Sequence, residues 1–474
     1  MKIFVLNPPY ANDFCRSDRW ASKMIWDTNR HPDYLLTAVA VLENAGHKVG
    51  FLDGAALNLS EDKVTQIIRD FWPDIAVIHS TTPSIYNDIY YAKIAKKMGV
   101  PLTVMVGPHV TANPDETLTF GKEKVDIVVR GEYDEVLNNI ASTSDLKLVN
   151  GISYQIKGEI FHNPPARPPD VTALPYPAWH KIKPEWYKDP DKSYPFLTQI
   201  TGRGCVAKCT FCRDIHVMSP GAVRLRDPKQ VVDEVVFNQK LFPQVKEIMF
   251  ETESFTANAN HVEGICREIL KRNLKFTWSC STRVDMDLRL MGIMRAAGCR
   301  ALFTGYEFGM QSALDAVKKG TTLEQARLFT QKAKKLGFSV IGYFMIGAPG
   351  ETEESAYTTI EFAKSLLIDR IYLNSIAVYP GTEMYKWAKE EGHLFPKEWT
   401  GWLDENFEAK STLHYPQVSK TEMDAILEKG RKDIHLNPKQ IFNIAKEMKS
   451  ISDVKKTLSN LKSLVENLGG GKTP

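Results

Sequence analysis

Short apolar runs alternate with amphipathic segments over the first ~140 residues. Five near-continuous apolar runs cover residues 2–7, 48–53, 75–80, 102–106 and 127–129. Helical periodicity fills the gaps at residues 35–45, 61–71, 85–98 and 134–141. Apolar strands separated by amphipathic helices indicate a parallel sheet covered on both faces. We therefore predict a doubly wound α/β domain over residues 1–142, with its ligand at the carboxyl ends of the strands.

The next segment, residues 143–194, has a different pattern. Residues 151–155 and 159–162 flank Lys157-Gly158 and predict a small hairpin. Prolines then crowd the chain at Pro164, Pro165, Pro168, Pro169, Pro175 and Pro177. Such a proline-rich stretch is typical of an extended linker between domains.

A second strand and helix series follows the linker. Strands are predicted at residues 196–201, 247–251, 275–279, 301–306, 339–346 and 370–378, with helices at 228–240, 261–271, 288–297, 323–336 and 353–366. Six such units predict a (β/α)6 partial barrel over residues 195–385, with its chemistry at the carboxyl end. Residues 386–474 contain several tryptophans and Lys-rich amphipathic helices, which predict a helical C-terminal domain.

Composition narrows the possible functions. The 474 residues are 43% hydrophobic and 25% charged, which is ordinary for a globular protein. The 60 basic and 57 acidic residues give a net charge of +3, so no polycationic surface for nucleic acid is expected. No apolar run approaches the ~20 residues that span a bilayer, and the start lacks the apolar core of a signal peptide. We therefore expect a cytoplasmic protein without a transmembrane segment.

Three of the seven cysteines lie within eight residues, directly behind the first barrel strand. Cys205, Cys209 and Cys212 are spaced by four and three positions. Three such thiolates can hold three irons of a [4Fe–4S] cluster and leave the fourth iron open to a ligand. The alternative is a zinc site, which normally needs four ligands in two close pairs. Cys280 and Cys299 are isolated on predicted strands and are interpreted as core residues.

The spacing Cys-x-x-x-Cys-x-Phe-Cys at this point resembles the radical SAM superfamily, over roughly residues 195–385. The resemblance implies reductive cleavage of S-adenosylmethionine to a 5′-deoxyadenosyl radical. It makes the three cysteines cluster ligands and places Phe211 beside the adenine. Further S-adenosylmethionine contacts are expected at the strand ends, from Glu251, Glu253, Ser281, Arg283, Glu307, Gly347 and Gly350. A solvated acidic loop is the alternative interpretation of residues 251–253.

The first domain lacks the Gly-x-Gly-x-x-Gly dinucleotide fingerprint and a phosphate loop. Its strand ends are similar to those of the Rossmann-like cobalamin-binding domain of radical SAM enzymes. The resemblance implies cobalamin contacts from Asn7, Ser80, Thr81, Gly107, His109, Gly131 and Glu132. The Asp-x-His-x-x-Gly motif is missing, so we expect the lower cobalt face to lack a protein histidine and to be covered by residues 10–19.

Two alternatives for this domain remain open. One is a degenerate flavodoxin-like module that binds no cofactor. The other is a methylthiotransferase, whose amino-terminal domain carries further cluster cysteines. Cys15 is the only cysteine before Cys205, which argues against the second alternative.

Residues 436–442 resemble part of the helical tail of the porphyrin-ester cyclases. Together with the two resemblances above, this points to the cobalamin-dependent radical SAM enzymes. The branch implied is that of the class B methyltransferases and anaerobic magnesium-protoporphyrin ester cyclase-like proteins. It implies transfer of a methyl group from S-adenosylmethionine and methylcobalamin to an unactivated carbon of a small, tetrapyrrole or lipid-like substrate.

The alternatives are an oxidative cyclase or ring-rearranging enzyme, and a non-catalytic cobalamin sensor. We also expect a flavodoxin- or ferredoxin-type electron donor and a monomeric protein.

Overall fold

The computed structural model describes residues 1–24, 28–221, 223–253 and 255–437. The first sheet lies in the amino-terminal part of the chain. The strands of this part are β1 (Lys2–Asn7), β2 (Phe14–Arg16), β3 (Ala21–Lys23), β4 (Lys48–Asp53), β5 (Ile75–His79), β6 (Leu102–Val106), β7 (Ile127–Val129), β8 (Ile152–Ile156) and β9 (Glu159–His162). The sheet order is β4-β1-β5-β6-β7-β8-β9. In this sheet β4, β1, β5, β6 and β7 are parallel to one another, whereas β8 and β9 add to its edge as antiparallel strands. The short antiparallel pair β2–β3 lies outside the sheet.

Helices cover both faces of this sheet. They are α1 (Asp33–Asn44), α2 (Glu61–Phe71), α3 (Ile85–Lys97), α4 (Pro108–Ala112), α5 (Pro114–Phe120) and α6 (Asp134–Ser142). One apolar core forms with α1 and α6, and a second core forms with α2 and α3 on the opposite face. The doubly wound prediction is confirmed, and the strand order reverses between β1 and β5, where such folds bind ligands. The predicted hairpin is β8–β9, which extends the first sheet beyond residue 142.

A second parallel sheet forms the partial barrel that the sequence predicts. Its strands are β10 (Phe196–Gln199), β13 (Glu247–Phe250), β14 (Thr277–Thr282), β15 (Cys299–Glu307), β16 (Ser339–Ile346) and β17 (Arg370–Ser375), paired in that order, while β11 (Gly202–Arg203) pairs with β12 (Arg224–Leu225). The helices are α7 (Pro228–Leu241), α8 (Ala259–Lys271), α9 (Leu290–Ala296), α10 (Gln311–Ala316), α11 (Leu323–Lys335), α12 (Glu353–Ser365), α13 (Glu383–Glu390) and α14 (Lys420–His435). In the described ranges β10 and β17 do not pair with each other, so the barrel is open on one side.

The linker contributes to the closure of this open side. Asp191 in residues 187–192 forms an ion pair of 2.8 Å with Arg370 of β17. The His31 ring, which precedes α1, packs edge-on against Phe196 of β10 at a centroid distance of 5.1 Å. The two edges of the barrel are therefore contacted by the linker and by the first domain, which explains why the linker is extended and ordered.

The C-terminal part is helical only in places. The helix α14 packs on α12 and β17, whereas residues 391–419 contain isolated bridges and one 3-10 turn. Trp402 is buried there and donates a hydrogen bond of 2.9 Å to the carbonyl of Val378. The predicted Lys-rich helices and most of residues 436–442 lie outside the described residues. Within the described ranges, no helix is long and apolar enough to cross a membrane.

A buried cluster of charges joins the first domain to the barrel. Arg203 of β11 makes a two-pronged contact with Asp134 at 2.6 and 3.0 Å, and contacts Glu132 at 2.7 Å. Its guanidinium also lies over the Tyr34 ring, 4.5 Å from the centroid. All three charged side chains are at most 4% exposed. Because Arg203 precedes Cys205 by two residues, this contact fixes the start of the cysteine loop against the first domain.

Replacement of Arg203 by Met leaves Asp134 without a cation in a buried setting. We expect Arg203→Met to lower the free energy of unfolding by about 3–5 kcal/mol, the cost typical of breaking a buried pair. The matched control is Lys229→Met, which removes an exposed pair with Asp233 in α7 and should change stability by less than ~1 kcal/mol. Urea unfolding of both variants measures the difference. Equal losses would contradict the role given to Arg203.

Candidate functional site

A cavity of about 490 Å³ lies between the carboxyl end of the barrel and the segment that follows β1. The first domain contributes Arg19, Trp20, Met24 and Arg30 to its wall. The barrel residues that the sequence predicted and that line this cavity are Cys205, Cys209, Cys212, Phe211, Glu251, Glu253, Ser281, Arg283 and Glu307. The structure therefore brings these residues to one place from four different strand ends, as expected for the carboxyl end of a barrel.

The cysteine loop is a tight turn at the mouth of β10. Gly204 has φ +88°, a conformation that favours glycine, and the amide of Cys212 donates to the carbonyl of Cys209 at 3.1 Å. The Thr210 amide donates to the carbonyl of Val317 at 3.0 Å, which ties this loop to the loop after α10. The three thiols thereby face a common cavity with the loop's backbone folded away from it.

Electrostatics around the thiols suits a bound metal cluster. Burial raises the pKa of Cys209, while nearby Lys319 and Arg283 lower it. Burial also raises the pKa of Cys212. Buried thiols of this kind ionise when a metal or a cation compensates the charge. They fit the three thiolate ligands of an open-site cluster.

The zinc alternative finds no matching geometry in the part of the chain that the structure describes. There, no three His, Cys, Asp or Glu side chains converge on a point that a single metal ion could occupy. A cluster differs, because each thiolate binds a different iron.

Glu307 at the end of β15 has an unusual backbone. Its φ is +68°, and the pairing of β15 with β16 shifts between Gly305 and Glu307. The bulge turns the carboxylate into the cavity, where Lys319 approaches it at 2.6 Å with a side chain only 7% exposed. A Cβ at Gly305 would lie 2.3 Å from the Glu307 carboxylate and 3.1 Å from the Lys319 amine. Glycine at 305 is thus what leaves room for this buried ion pair.

The acidic loop at the end of β13 is not a solvated loop. Glu253 pairs with Arg19 at 2.9 Å and accepts a hydrogen bond from the Tyr34 hydroxyl at 2.7 Å. Glu251 lies 3.9 Å from Arg30, and this contact lowers its pKa although burial opposes the shift. The Oε2 atoms of both glutamates are buried and lack a hydrogen-bond partner among the described residues. Glu253 therefore keeps one carboxylate oxygen without a partner, whereas the Oε2 atom of Glu251 is the one that faces Arg30.

Gly347 and Gly350 lie away from the cavity wall. A Cβ at Gly347 would meet Ile376 at 2.8 Å, and the Gly347 carbonyl accepts a hydrogen bond from Tyr415 at 3.1 Å. Nothing lies within 4 Å of a Cβ at Gly350. Both residues have a positive φ in the turn after β16, a backbone conformation that favours glycine. The turn alone therefore accounts for the two glycines. A contact with the adenine at these positions stays a prediction.

The predicted cobalamin residues do not line this cavity either, and their polar groups have partners within the protein. Asn7 donates to Asp53 at 2.9 Å and accepts from Arg16 at 2.9 Å. The Ser80 hydroxyl donates to the Val106 carbonyl at 3.0 Å, and the Thr81 hydroxyl contacts Ser84 at 2.7 Å.

The remaining predicted residues of this set are equally engaged. The Gly131 amide donates to Thr111 at 3.0 Å, and a Cβ at Gly107 would lie 2.5 Å from the Ser80 carbonyl oxygen. Burial lowers the pKa of His109 to about 3, so that it is neutral and packs on Trp399 at 4.9 Å. Glu132 holds Arg203 instead of facing a ligand.

Arg16 occupies the crevice between the carboxyl ends of β1 and β5. It is fully buried, forms an ion pair with Asp88 at 2.8 Å, and donates to Ser84 at 2.8 Å and to the His79 carbonyl at 2.5 Å. The pair β2–β3 presents it there, within the segment expected to cover this edge. In the described conformation the Arg16 side chain therefore occupies the space between these strand ends.

The wall opposite the cysteines was not predicted from the sequence. Tyr343 and Tyr372 stack there at 5.4 Å with their planes 17° apart, next to Phe303 and Met249. Arg431 of α14 reaches the same wall. Alternation along β16 and β17 could have indicated the inward tyrosines, whereas no local signal points to an arginine sixty residues further on.

Two family models match the chain. The model described as Radical SAM superfamily matches residues 200–363, and the model described as B12 binding domain matches residues 29–141. A Pyrococcus horikoshii protein described as an uncharacterized methyltransferase is 30% identical over 447 residues, or 93% of each chain. The anaerobic magnesium-protoporphyrin IX monomethyl ester cyclase of Rubrivivax gelatinosus is 29% identical over 78% of this chain and 68% of its own.

The fold is shared with a solved structure, that of the radical S-adenosylmethionine methyltransferase TsrM from Kitasatospora setae with cobalamin and a [4Fe-4S] cluster bound. The TM-score is 0.71 at 14% identity, over 98% of this chain and 99% of TsrM. With both domain models matched and a 30% identical relative covered almost end to end, the chain belongs to the cobalamin-dependent radical SAM enzymes, whose cofactors are a [4Fe–4S] cluster, S-adenosylmethionine and cobalamin.

Proposed function

We propose that this enzyme is a C-methyltransferase that acts on an unactivated carbon of a small, tetrapyrrole or lipid-like substrate. The observation that carries the proposal is the cavity of about 490 Å³, in which the cysteine loop of the barrel faces residues of the first domain. A methyltransferase description for the 30% identical relative supports the reaction type. When bound, the cluster supplies an electron for cleavage of S-adenosylmethionine, and the corrinoid supplies the methyl group.

The chain's own residues orient the reactants and exclude water. Cys205, Cys209 and Cys212 hold the cluster at one end of the cavity. Glu307, paired with Lys319, and the unpartnered Oε2 atom of Glu253 offer hydrogen bonds to the polar groups of S-adenosylmethionine. The apolar wall keeps solvent away from a radical, which must react only with its substrate. A radical reaction of this kind needs no general base.

We further propose a flavodoxin- or ferredoxin-type donor and a monomeric enzyme. Val206, between the first two cluster cysteines, is 62% exposed, so that the cysteine loop reaches the surface where a donor would dock. The domain bounds proposed are 1–142, 143–194, 195–385 and 386–474.

Oxidative cyclisation is the second candidate function. It is favoured by the 29% identity to the anaerobic cyclase, which extends over 78% of this chain. The two functions differ in their products. Methylation adds one carbon to the substrate and also converts S-adenosylmethionine to S-adenosylhomocysteine. Cyclisation adds no carbon to the substrate.

Replacement of any one of the three clustered cysteines by alanine should abolish function. We expect Cys205→Ala, Cys209→Ala and Cys212→Ala each to lose cluster absorbance and the formation of 5′-deoxyadenosine. Each replacement removes the protein thiolate from one iron of the cluster. Cys266→Ala, in the core under α8, is the matched control and should keep both. Anaerobic reconstitution with iron, sulfide, S-adenosylmethionine and a chemical reductant provides the measurement, with S-adenosylhomocysteine assayed in parallel. Turnover that survives any of the three replacements rejects the proposal.

Gly305→Ala tests the role of the Glu307–Lys319 pair. The added methyl group would overlap the Glu307 carboxylate, so the pair must shift. We expect at least tenfold weaker binding of S-adenosylmethionine, roughly the loss of one charge-assisted hydrogen bond, with cluster absorbance retained. Gly292→Ala is the control, because a Cβ there has nothing within 4 Å in α9. Equal affinities in Gly305→Ala and Gly292→Ala, measured by equilibrium dialysis, would remove Glu307 from the site.

Corrinoid binding should displace the β2–β3 pair. Arg16 fills the crevice in which the strand-end residues could contact a corrinoid tail. We therefore expect added hydroxocobalamin to speed hydrogen exchange of amides in residues 14–23, while exchange in α2, which lies against one face of the sheet, stays unchanged. Mass-spectrometric exchange on the full chain measures both regions. Unchanged or slower exchange in residues 14–23 would mean that the corrinoid binds without opening this crevice.

A further inference from the structure

The cavity wall at β17 contains an incompletely paired guanidinium. Arg431 lines the cavity from α14. Its Nε donates to the Leu373 carbonyl at 2.9 Å, which fixes the planar group at the end of β17. The outer nitrogens are less well satisfied: Nη2 has a long contact of 3.4 Å to Asn374, and Nη1 lies 4.0 Å from Glu408. The side chain is only 20% exposed, so water does not replace the missing partners fully.

The neighbouring carboxylates do not neutralise this group. Lys420 contacts Asp424 and Lys432 contacts Glu428, so each of these acids has its own cation. Asp404 accepts hydrogen bonds from the backbone amides of Asn406 and Glu408. Burial lowers the pKa of Arg431 in spite of these acids, which is the behaviour of a cation with too little compensation.

A second, independent feature points to a ligand in the same cavity, at the residues next to the Arg431 contacts on β17. Ser375 is 8% exposed, lines the cavity, and its hydroxyl has no hydrogen-bond partner among the described residues. Asn374 beside it also lines the cavity, and Lys23 adds a further cation from the first domain. Buried hydroxyl groups normally have a partner, and a guanidinium with two free edges matches an oxyanion in a two-pronged arrangement.

We propose that Arg431, with Ser375 and Asn374, forms a subsite for an oxyanion of the substrate, either a carboxylate or a phosphate. The inference rests on the proposed function, in that it takes this cavity as the substrate site. The stacked Tyr343–Tyr372 pair on the same wall supplies an apolar surface next to the anion site. The substrate class is therefore an organic acid or phosphate with an apolar or aromatic part that points toward the cysteines.

The test uses the reconstituted enzyme with its cluster, cobalamin and S-adenosylmethionine bound, so that the cofactor sites are filled. The probes are benzoate, phenyl phosphate and the neutral ester methyl benzoate, and equilibrium dialysis gives their dissociation constants. We expect at least one anion to bind about tenfold or more tightly than the ester, as one charge-assisted contact implies. Tighter benzoate or tighter phenyl phosphate binding distinguishes a carboxylate from a phosphate substrate.

Variants then assign the effect to the subsite. Arg431→Met should lose the preference for the anion, Arg431→Lys should keep part of it, and Ser375→Ala should weaken anion binding several-fold. Lys432→Met is the matched control on the same helix, because Lys432 pairs with Glu428, and it should bind the anions like the wild type. Ester binding should not change in any variant.

Two outcomes overturn the inference: equal binding of anions and ester by the wild type, or unchanged anion binding by a folded Arg431→Met variant. The wild-type comparison alone decides the matter if Arg431→Met fails to fold. Formation of 5′-deoxyadenosine and S-adenosylhomocysteine by the same wild-type preparation is measured separately and tests the proposed function. Failure of this subsite and failure of the proposed function are therefore separable.

Discussion

The structure depends on one constraint, that charges buried between the two domains need partners from the opposite domain. Arg19 and Arg30 of the first domain meet Glu253 and Glu251 of the barrel, and Arg203 of the barrel meets Asp134 of the first domain. An unpaired buried charge costs several kcal/mol, so these pairs admit few relative positions of the domains. The cavity exists because the domains are held at this distance, with the apolar and aromatic residues of the barrel left facing an open space.

The same pairs limit what the acids at the end of β13 can do. The Tyr34 hydroxyl and Arg19 both contact the Oε1 atom of Glu253, and Arg30 lies 3.9 Å from Glu251. Since Oε2 of Glu253 has no hydrogen-bond partner in the described ranges, an ammonium group of a ligand could bind there without breaking the pair between Glu253 and Arg19. Such acids can hold the two domains together and still contact a cofactor.

Much of this architecture could be predicted because it depends on local pattern. Apolar strands and amphipathic helices gave both sheets, and the cysteine spacing identified the loop that faces the cavity. The pair β2–β3 was missed because strands of three residues carry no measurable period. Arg16, Arg30 and Lys319 were missed because their partners lie 12 to more than 150 residues away in the chain. At the edge of the first sheet, topology predicts where the strand ends lie, but not that a distant side chain fills the crevice between them.

The two ends of the cavity differ in how their cations are used. Near the cysteines, Lys319 is held tightly by Glu307, and Arg283 makes a two-pronged contact with Asp285. These cations are fixed in place and partly oppose the burial that raises the pKa of the Cys209 thiol. At the far end, Arg431 has no comparable partner. A radical reaction requires no acid or base, so selectivity must come from how the substrate is held. A loosely paired guanidinium and an unpartnered hydroxyl, set beside stacked rings, are the groups in this cavity that can supply it.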